Sequence, residues 1–120
     1  MAGVTIYHNP GCSKSRGALE ILGERGVDPE VVEYLEKAPS RADLERILSL
    51  LRGAPGELVR KDGRFRELGL DAGAYESADA VVELLLAHPE LMQRPIVIRG
   101  ERAVIARPPE KLESLLEESA

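Results

Sequence analysis

Hydrophobic and polar positions along this chain change period several times, and each change marks an element. Val4-Thr5-Ile6-Tyr7 is β-branched and aromatic and runs into His8-Asn9-Pro10-Gly11, a turn-rich segment that cannot extend a central strand, so a strand ends there. Ala18, Leu19, Ile21 and Leu22 then share one helical stripe that closes at Gly23 to Gly26, which places the start of a helix near Cys12 or Ser13. Glu30 to Leu35 reads as a second short strand, and strand, helix and strand over about 30 residues predict a right-handed parallel βαβ unit. Ser40 is a natural N-cap with Asp43 three positions on, and Leu44, Ile47, Leu48 and Leu51 follow at helical spacing until Gly53 to Gly56. Between Glu57 and His88 the pattern predicts two or three short helices, with Ser77 capping a stripe of Val81, Leu84, Leu85 and His88. Pro95 to Ile98 and Ala103 to Ala106 read as strands joined by a hairpin through Arg99-Gly100-Glu101-Arg102. Pro108-Pro109 opens a last helix with Leu112, Leu115 and Leu116 facing inward.

The resulting order is β-α-β, a helical insertion of about 55 residues, then β-β-α. It predicts an α/β protein with a thioredoxin-like fold and the helical insertion between its halves. At 120 residues, with no repeat, low-complexity stretch or linker, residues 1–120 are expected to form a single domain. The N-terminus shows no basic region followed by an apolar stretch, and no window approaches the roughly 20 apolar residues of a membrane span. A cytoplasmic location and a monomer are expected. Composition sharpens this in one respect. The formal net charge of −5 argues against a broad electrostatic footprint for nucleic acid or an anionic membrane, so an anionic substrate has to be met by a local cluster of cations.

Cys12 is the only cysteine, which rules out an internal disulfide and makes any redox partner external. The reactive form of cysteine is the thiolate, and a helix N-terminus or a nearby cation lowers the thiol pKa from about 8.5. Ser13-Lys14-Ser15-Arg16 offers free backbone N–H groups, two hydroxyls and two cations within four residues of the sulfur. A strand, a Pro-Gly turn, a cysteine and a helix are the arrangement of thioredoxin-like redox proteins, but Ser15 stands where a C-x-x-C pair would have its second cysteine. Cys12 can attack but cannot resolve internally. His8, four residues earlier, is expected to stabilise the thiolate as an imidazolium, and the Ser15 hydroxyl to donate a hydrogen bond to it. Lys14 and Arg16 are expected to be solvated, and His88 to lie on a helix surface near a C-terminus. Two distant histidines and one cysteine do not make a metal site.

Ten consecutive residues, Tyr7-His8-Asn9-Pro10-Gly11-Cys12-Ser13-Lys14-Ser15-Arg16, resemble the active-site segment of the arsenate reductase (ArsC) family of the glutathione- and glutaredoxin-dependent type. Glu57-Leu58-Val59-Arg60, Gln93-Arg94-Pro95-Ile96-Val97 and Ala106-Arg107-Pro108-Pro109-Glu110 resemble three further family blocks in order and spacing. The last block and the short chain resemble a short branch of the family. The resemblance implies that Cys12 is the nucleophile and that Arg60, Arg94 and Arg107 hold the oxyanion and its covalent adduct. It implies no bound cofactor, glutathione as co-substrate and glutaredoxin as partner. A guanidinium fork matches a tetrahedral oxyanion and keeps its charge at neutral pH, which fits that assignment. Pro95 stands where thioredoxin-like folds keep a cis proline, so a cis Arg94-Pro95 bond is expected. Two alternatives stay open: a reductase of this family with a different substrate, and a redox-responsive regulator that binds RNA polymerase. Regulators of that kind carry a C-x-x-C switch, which Ser15 removes.

Overall fold

The alternation at Val4 to Tyr7 becomes an inner strand of a four-stranded sheet in the computed structural model of the chain, which describes residues 3–51 and 53–117. The elements run β1 (Val4–His8), α1 (Ser13–Glu24), β2 (Glu30–Glu33), α2 (Arg41–Leu50), α3 (Gly63–Glu67), α4 (Ala78–Ala87), β3 (Ile96–Arg99), β4 (Arg102–Ile105) and α5 (Leu112–Glu117), with 3-10 turns at Pro55–Leu58, Ala72–Ala74, Pro89–Leu91 and Pro109–Lys111. The chain divides into two compact units, one formed by Met1–Lys37 with Arg94–Ala120 and the other by Ala38–Gln93. The second is the predicted helical insertion.

In the first unit the strand order is β2-β1-β3-β4. β1 pairs parallel with β2 and antiparallel with β3, and β3 pairs antiparallel with β4. The registers bring four strand ends to one end of the sheet: His8 lies opposite Glu33, Tyr7 opposite Ile96, and Ile96 opposite Ile105. The residues just beyond those pairs are Asn9, Tyr34, Arg94-Pro95 and Ala106-Arg107. One face of the sheet carries Val4, Ile6 and Val97 onto Ala18 and Leu22 of α1 and Leu112 and Leu115 near the C-terminus, all of them buried. The apolar stripe of α1 thus found its partner in the even positions of β1, the burial that stabilises a strand–helix layer. The hairpin closes with only Gly100 and Glu101 between paired Arg99 and Arg102, and Gly100 takes φ +60, which a side chain disfavours. The Arg99 guanidinium caps the last helix by donating to the carbonyls of Leu115 and Leu116.

Two expectations shift here. β2 ends at Glu33 rather than Leu35, because the N–H groups of Glu36 and Lys37 both return to the Glu33 carbonyl, at 3.0 and 2.9 Å, and turn the chain. The final helix begins as a 3-10 turn, and a Cβ on Gly17 would lie 3.1 Å from Pro109 Cγ, so the glycine in mid-helix lets α1 approach that turn.

The second unit packs α2 against α4 around Leu44, Ile47, Val81 and Leu85. Ser40 caps α2 as expected, accepting from the Asp43 N–H while Asp43 accepts from the Ser40 N–H. Ser77 caps α4 through the Ala80 N–H, and α2 stops at Leu50, short of the glycines expected to end it. A single bridge between Val59 and Met92, flanked by Arg60 N–H to Leu91 O and Gln93 N–H to Leu58 O, fixes the backbone at Arg60.

Candidate active site

Proline at position 10 and the Asn9-Gly11 turn stop β1 and lead directly into α1. The Asn9 side chain accepts from the Gly11 N–H at 2.9 Å, the Cys12 N–H donates to the Asn9 carbonyl at 3.0 Å, and the Arg16 guanidinium spans the loop to the Pro10 carbonyl. This compact turn sets Cys12 as the N-cap of α1, with extended backbone, half-buried. The first N–H groups of a helix have no intrahelical partner and carry the positive end of its dipole. Those of Lys14 and Ser15 face the sulfur.

Two arginines from the same end of the sheet complete the surroundings. Arg107 Nη1 lies 3.8 Å from Cys12 Sγ and 3.0 Å from the Arg94 carbonyl, so one guanidinium links the sulfur to the β3 entry. The Ala106 N–H to Pro95 carbonyl bond, 2.9 Å, continues the β3–β4 pairing past its strands and holds the two arginine-bearing segments side by side. Arg94-Pro95 is cis, as expected, and Arg107-Pro108 is cis as well. Burial pushes the Cys12 thiol up, but the Ser15 N–H, the Arg94 guanidinium and the Lys14 N–H together outweigh it, and the thiol sits below its ordinary value.

His8 and Ser15 are close to the nucleophile in sequence but take other roles from those expected. The Ser15 hydroxyl is fully buried, accepts from the Asn9 N–H at 3.0 Å and meets His8 Nδ1 at 2.5 Å. It is the Ser15 backbone N–H, not its hydroxyl, that serves the sulfur. His8 is 6% exposed, and desolvation first, with Arg16 beside it, outweighs Glu33 and lowers its pKa. Burial thus works against the imidazolium expected beside the thiolate, and the hydrogen bond between Nδ1 and the Ser15 hydroxyl fastens β1 to the first turn of α1.

Arg60 stands in the second unit, where its guanidinium pairs with Asp62 at 3.1 Å. His88 ends α4, partly exposed and 3.4 Å from Glu90. Lys14 and Arg16 are exposed, as expected for solvated cations. Asn9 and Tyr34 were passed over by sequence reasoning. Asn9 reads as an ordinary turn residue and meets Cys12 through that turn, whereas Tyr34 reads as one more strand position and only the sheet register sets it level with Asn9.

This geometry sets the Cys12 sulfur, its pKa lowered, at a helix start beside the guanidinium groups of Arg94 and Arg107. The family model of the ArsC family matches residues 7–115. The chain belongs to the ArsC family. It is 42% identical over 118 residues to an arsenate reductase of Neisseria meningitidis serogroup A, covering 97% of this chain and all of that protein. It is 45% identical over 111 residues to the YfgD protein of Escherichia coli strain K12, covering 91% of this chain and 92% of the other. Among solved structures, the arsenate reductase from Vibrio cholerae superposes with a TM-score of 0.83 at 38% identity, over 92% of this chain and 95% of that one. The thioredoxin-like fold expected from the element order is thus the fold of this chain, shared with these ArsC relatives. Among the described residues no helix is long and apolar enough to cross a membrane.

Proposed function

We propose that this chain is an arsenate reductase in which the Cys12 thiolate attacks arsenate and external thiols carry the reduction. The observation that carries the reading is the sulfur at the N-terminus of α1, faced by two helix N–H groups, Arg94 and Arg107, with its pKa lowered. Attack of sulfur on As(V) forms an S–As bond and releases one arsenate oxygen as water. The arginines and N–H groups neutralise the charge of the oxyanion as it meets the thiolate. Glutathione then attacks the thiol ester, and two thiols become one disulfide while arsenic takes up the two electrons and leaves as arsenite. Glutaredoxin returns the mixed disulfide to its thiol. A single cysteine supports an external donor, since the chain has no second sulfur to form a disulfide within itself. Arg60 is assigned to the oxyanion as well, on the family block that carries it. A monomer acting in the cytoplasm, where glutathione is abundant and reduced, fits this chemistry.

The test is arsenate-dependent oxidation of NADPH coupled through glutathione reductase, with glutathione and glutaredoxin present. Turnover is expected with the intact chain and none with Cys12→Ser. Arg94→Ala and Arg107→Ala should each lower kcat/KM by about 10²-fold or more. Full activity in Cys12→Ser, or turnover by the intact chain no faster than that variant, would sink the proposal. In the second case the same assay with other reducible oxyanions decides whether the family chemistry serves a different substrate.

A further inference from the structure

Tyr34 is the first residue after β2, and the pairing of His8 with Glu33 sets it level with Asn9, at the base of the Cys12 loop. The neighbouring turn residue Leu35 is 52% exposed, whereas Tyr34 is 0% exposed. A chain with three tyrosines and one phenylalanine has buried one of its few aromatic rings at the sheet end where the nucleophile sits. Its hydroxyl closes no hydrogen bond, and neither does the equally buried Nε of Arg94. Buried polar groups without partners are costly and call for an explanation. The groups that face the Tyr34 hydroxyl are Arg94 and Asn9, with Cys12 beyond them.

We propose that Tyr34 is a positioning residue of this site, its enclosed hydroxyl serving as the acceptor that holds the Arg94 guanidinium against the Cys12 sulfur. An arginine has five N–H donors and no acceptor, so toward Arg94 the phenol oxygen can only accept. Enclosure keeps the hydroxyl from touching a ligand that arrives from solvent, so its effect passes through Arg94. Burial raises the Tyr34 pKa against the pull of Arg94 and Asn9, and the ring stays a neutral phenol where Cys12 ionises. It therefore orients the guanidinium without cancelling its charge. Hydrogen bonds in a resting site are commonly long and tighten when charge arrives, and the open Tyr34–Arg94 approach is of that kind. Asn9, whose side-chain oxygen accepts from the Gly11 N–H, faces the same hydroxyl, so the loop and the arginine converge on one group.

The proposal rests on Cys12 being the activated thiol, and one experiment separates the two. The rate of Cys12 alkylation by iodoacetamide is followed against pH in wild type, Tyr34→Phe, Arg94→Ala and the double variant. Wild type should titrate below about 8.5; a midpoint at or above that value overturns the nucleophile itself. Tyr34→Phe should raise the midpoint by about half a pH unit, and should add nothing in the Arg94→Ala background. An unchanged midpoint in Tyr34→Phe, or the same rise with and without Arg94, overturns the positioning role while leaving Cys12 intact. Should Tyr34→Phe fail to fold, fluorotyrosine at position 34 keeps ring and hydroxyl but weakens the oxygen as an acceptor. It must move the midpoint upward in the same Arg94-dependent way, and no movement overturns the proposal.

Discussion

At the scale of single residues, the division of labour around Cys12 is set by which groups can reach the sulfur and which are held elsewhere. The N-cap position gives the sulfur the N–H groups of Lys14 and Ser15, while Asn9 and His8 occupy the Ser15 hydroxyl. His8 is thereby a structural fastener, and its protonation is a threat to the fold rather than an aid to the thiolate. Its folded pKa lies below the unfolded value of about 6.5 because burial disfavours the charge. Between those two values the unfolded chain binds more protons, so stability rises with pH across that window and falls as pH drops below about 6.5. Denaturant midpoints measured from about pH 7 down to about pH 5.5 should therefore fall in wild type and fall less in His8→Gln. Equal slopes for the two proteins would contradict the assignment. The sequence named Cys12, His8 and Ser15 correctly as neighbours. It could not reveal that Ser15 turns its hydroxyl toward His8, because that depends on the χ1 rotamer chosen when α1 docks on the sheet.

At the scale of elements, caps and turns were the most legible features, because their chemistry is local. Ser40 with Asp43, and Ser77 before α4, sit where a side-chain oxygen must satisfy free helix N–H groups, and both do so. Ser40→Ala removes one side of the α2 capping box and should lower stability by about 1 kcal/mol in urea unfolding; no change would mean that α2 is held by its packing alone. The strand ends were less legible. Tyr34 and Leu35 have residue types suited to β2, yet two carbonyl-sharing hydrogen bonds at Glu33 turn the chain before them. The close approach of Gly17 to Pro109 left no mark in the hydrophobic pattern, since a glycine in mid-helix reads only as a weakness until the turn against it is known.

At the scale of the whole molecule, the sheet end is what assembles the site. Arg94 and Arg107 are separated by 13 residues, and Arg107 from Cys12 by 95, yet antiparallel pairing of β3 with both β1 and β4 delivers all three to one place. That delivery depends on α1 lying firmly on the sheet through Leu22, which is fully buried against Val4, Ile6 and the C-terminal leucines. Leu22→Ala should cost about 2–5 kcal/mol, read as a lower denaturant midpoint, and a loss under about 1 kcal/mol would show that this core does not hold α1 in place. By itself the sequence determined the element order, the helix caps, the helical insertion and the cysteine at a helix start, because these follow from periodicity and local hydrogen bonding. It also determined the family, through the residues around Cys12 and the arginine blocks. Only the tertiary structure decided which N–H groups and guanidinium groups face the sulfur, that His8 is buried and tied to Ser15, and that the Tyr34 hydroxyl is enclosed without a hydrogen bond. Those are matters of register and burial, which bring together residues far apart in the chain and change the charge they can carry.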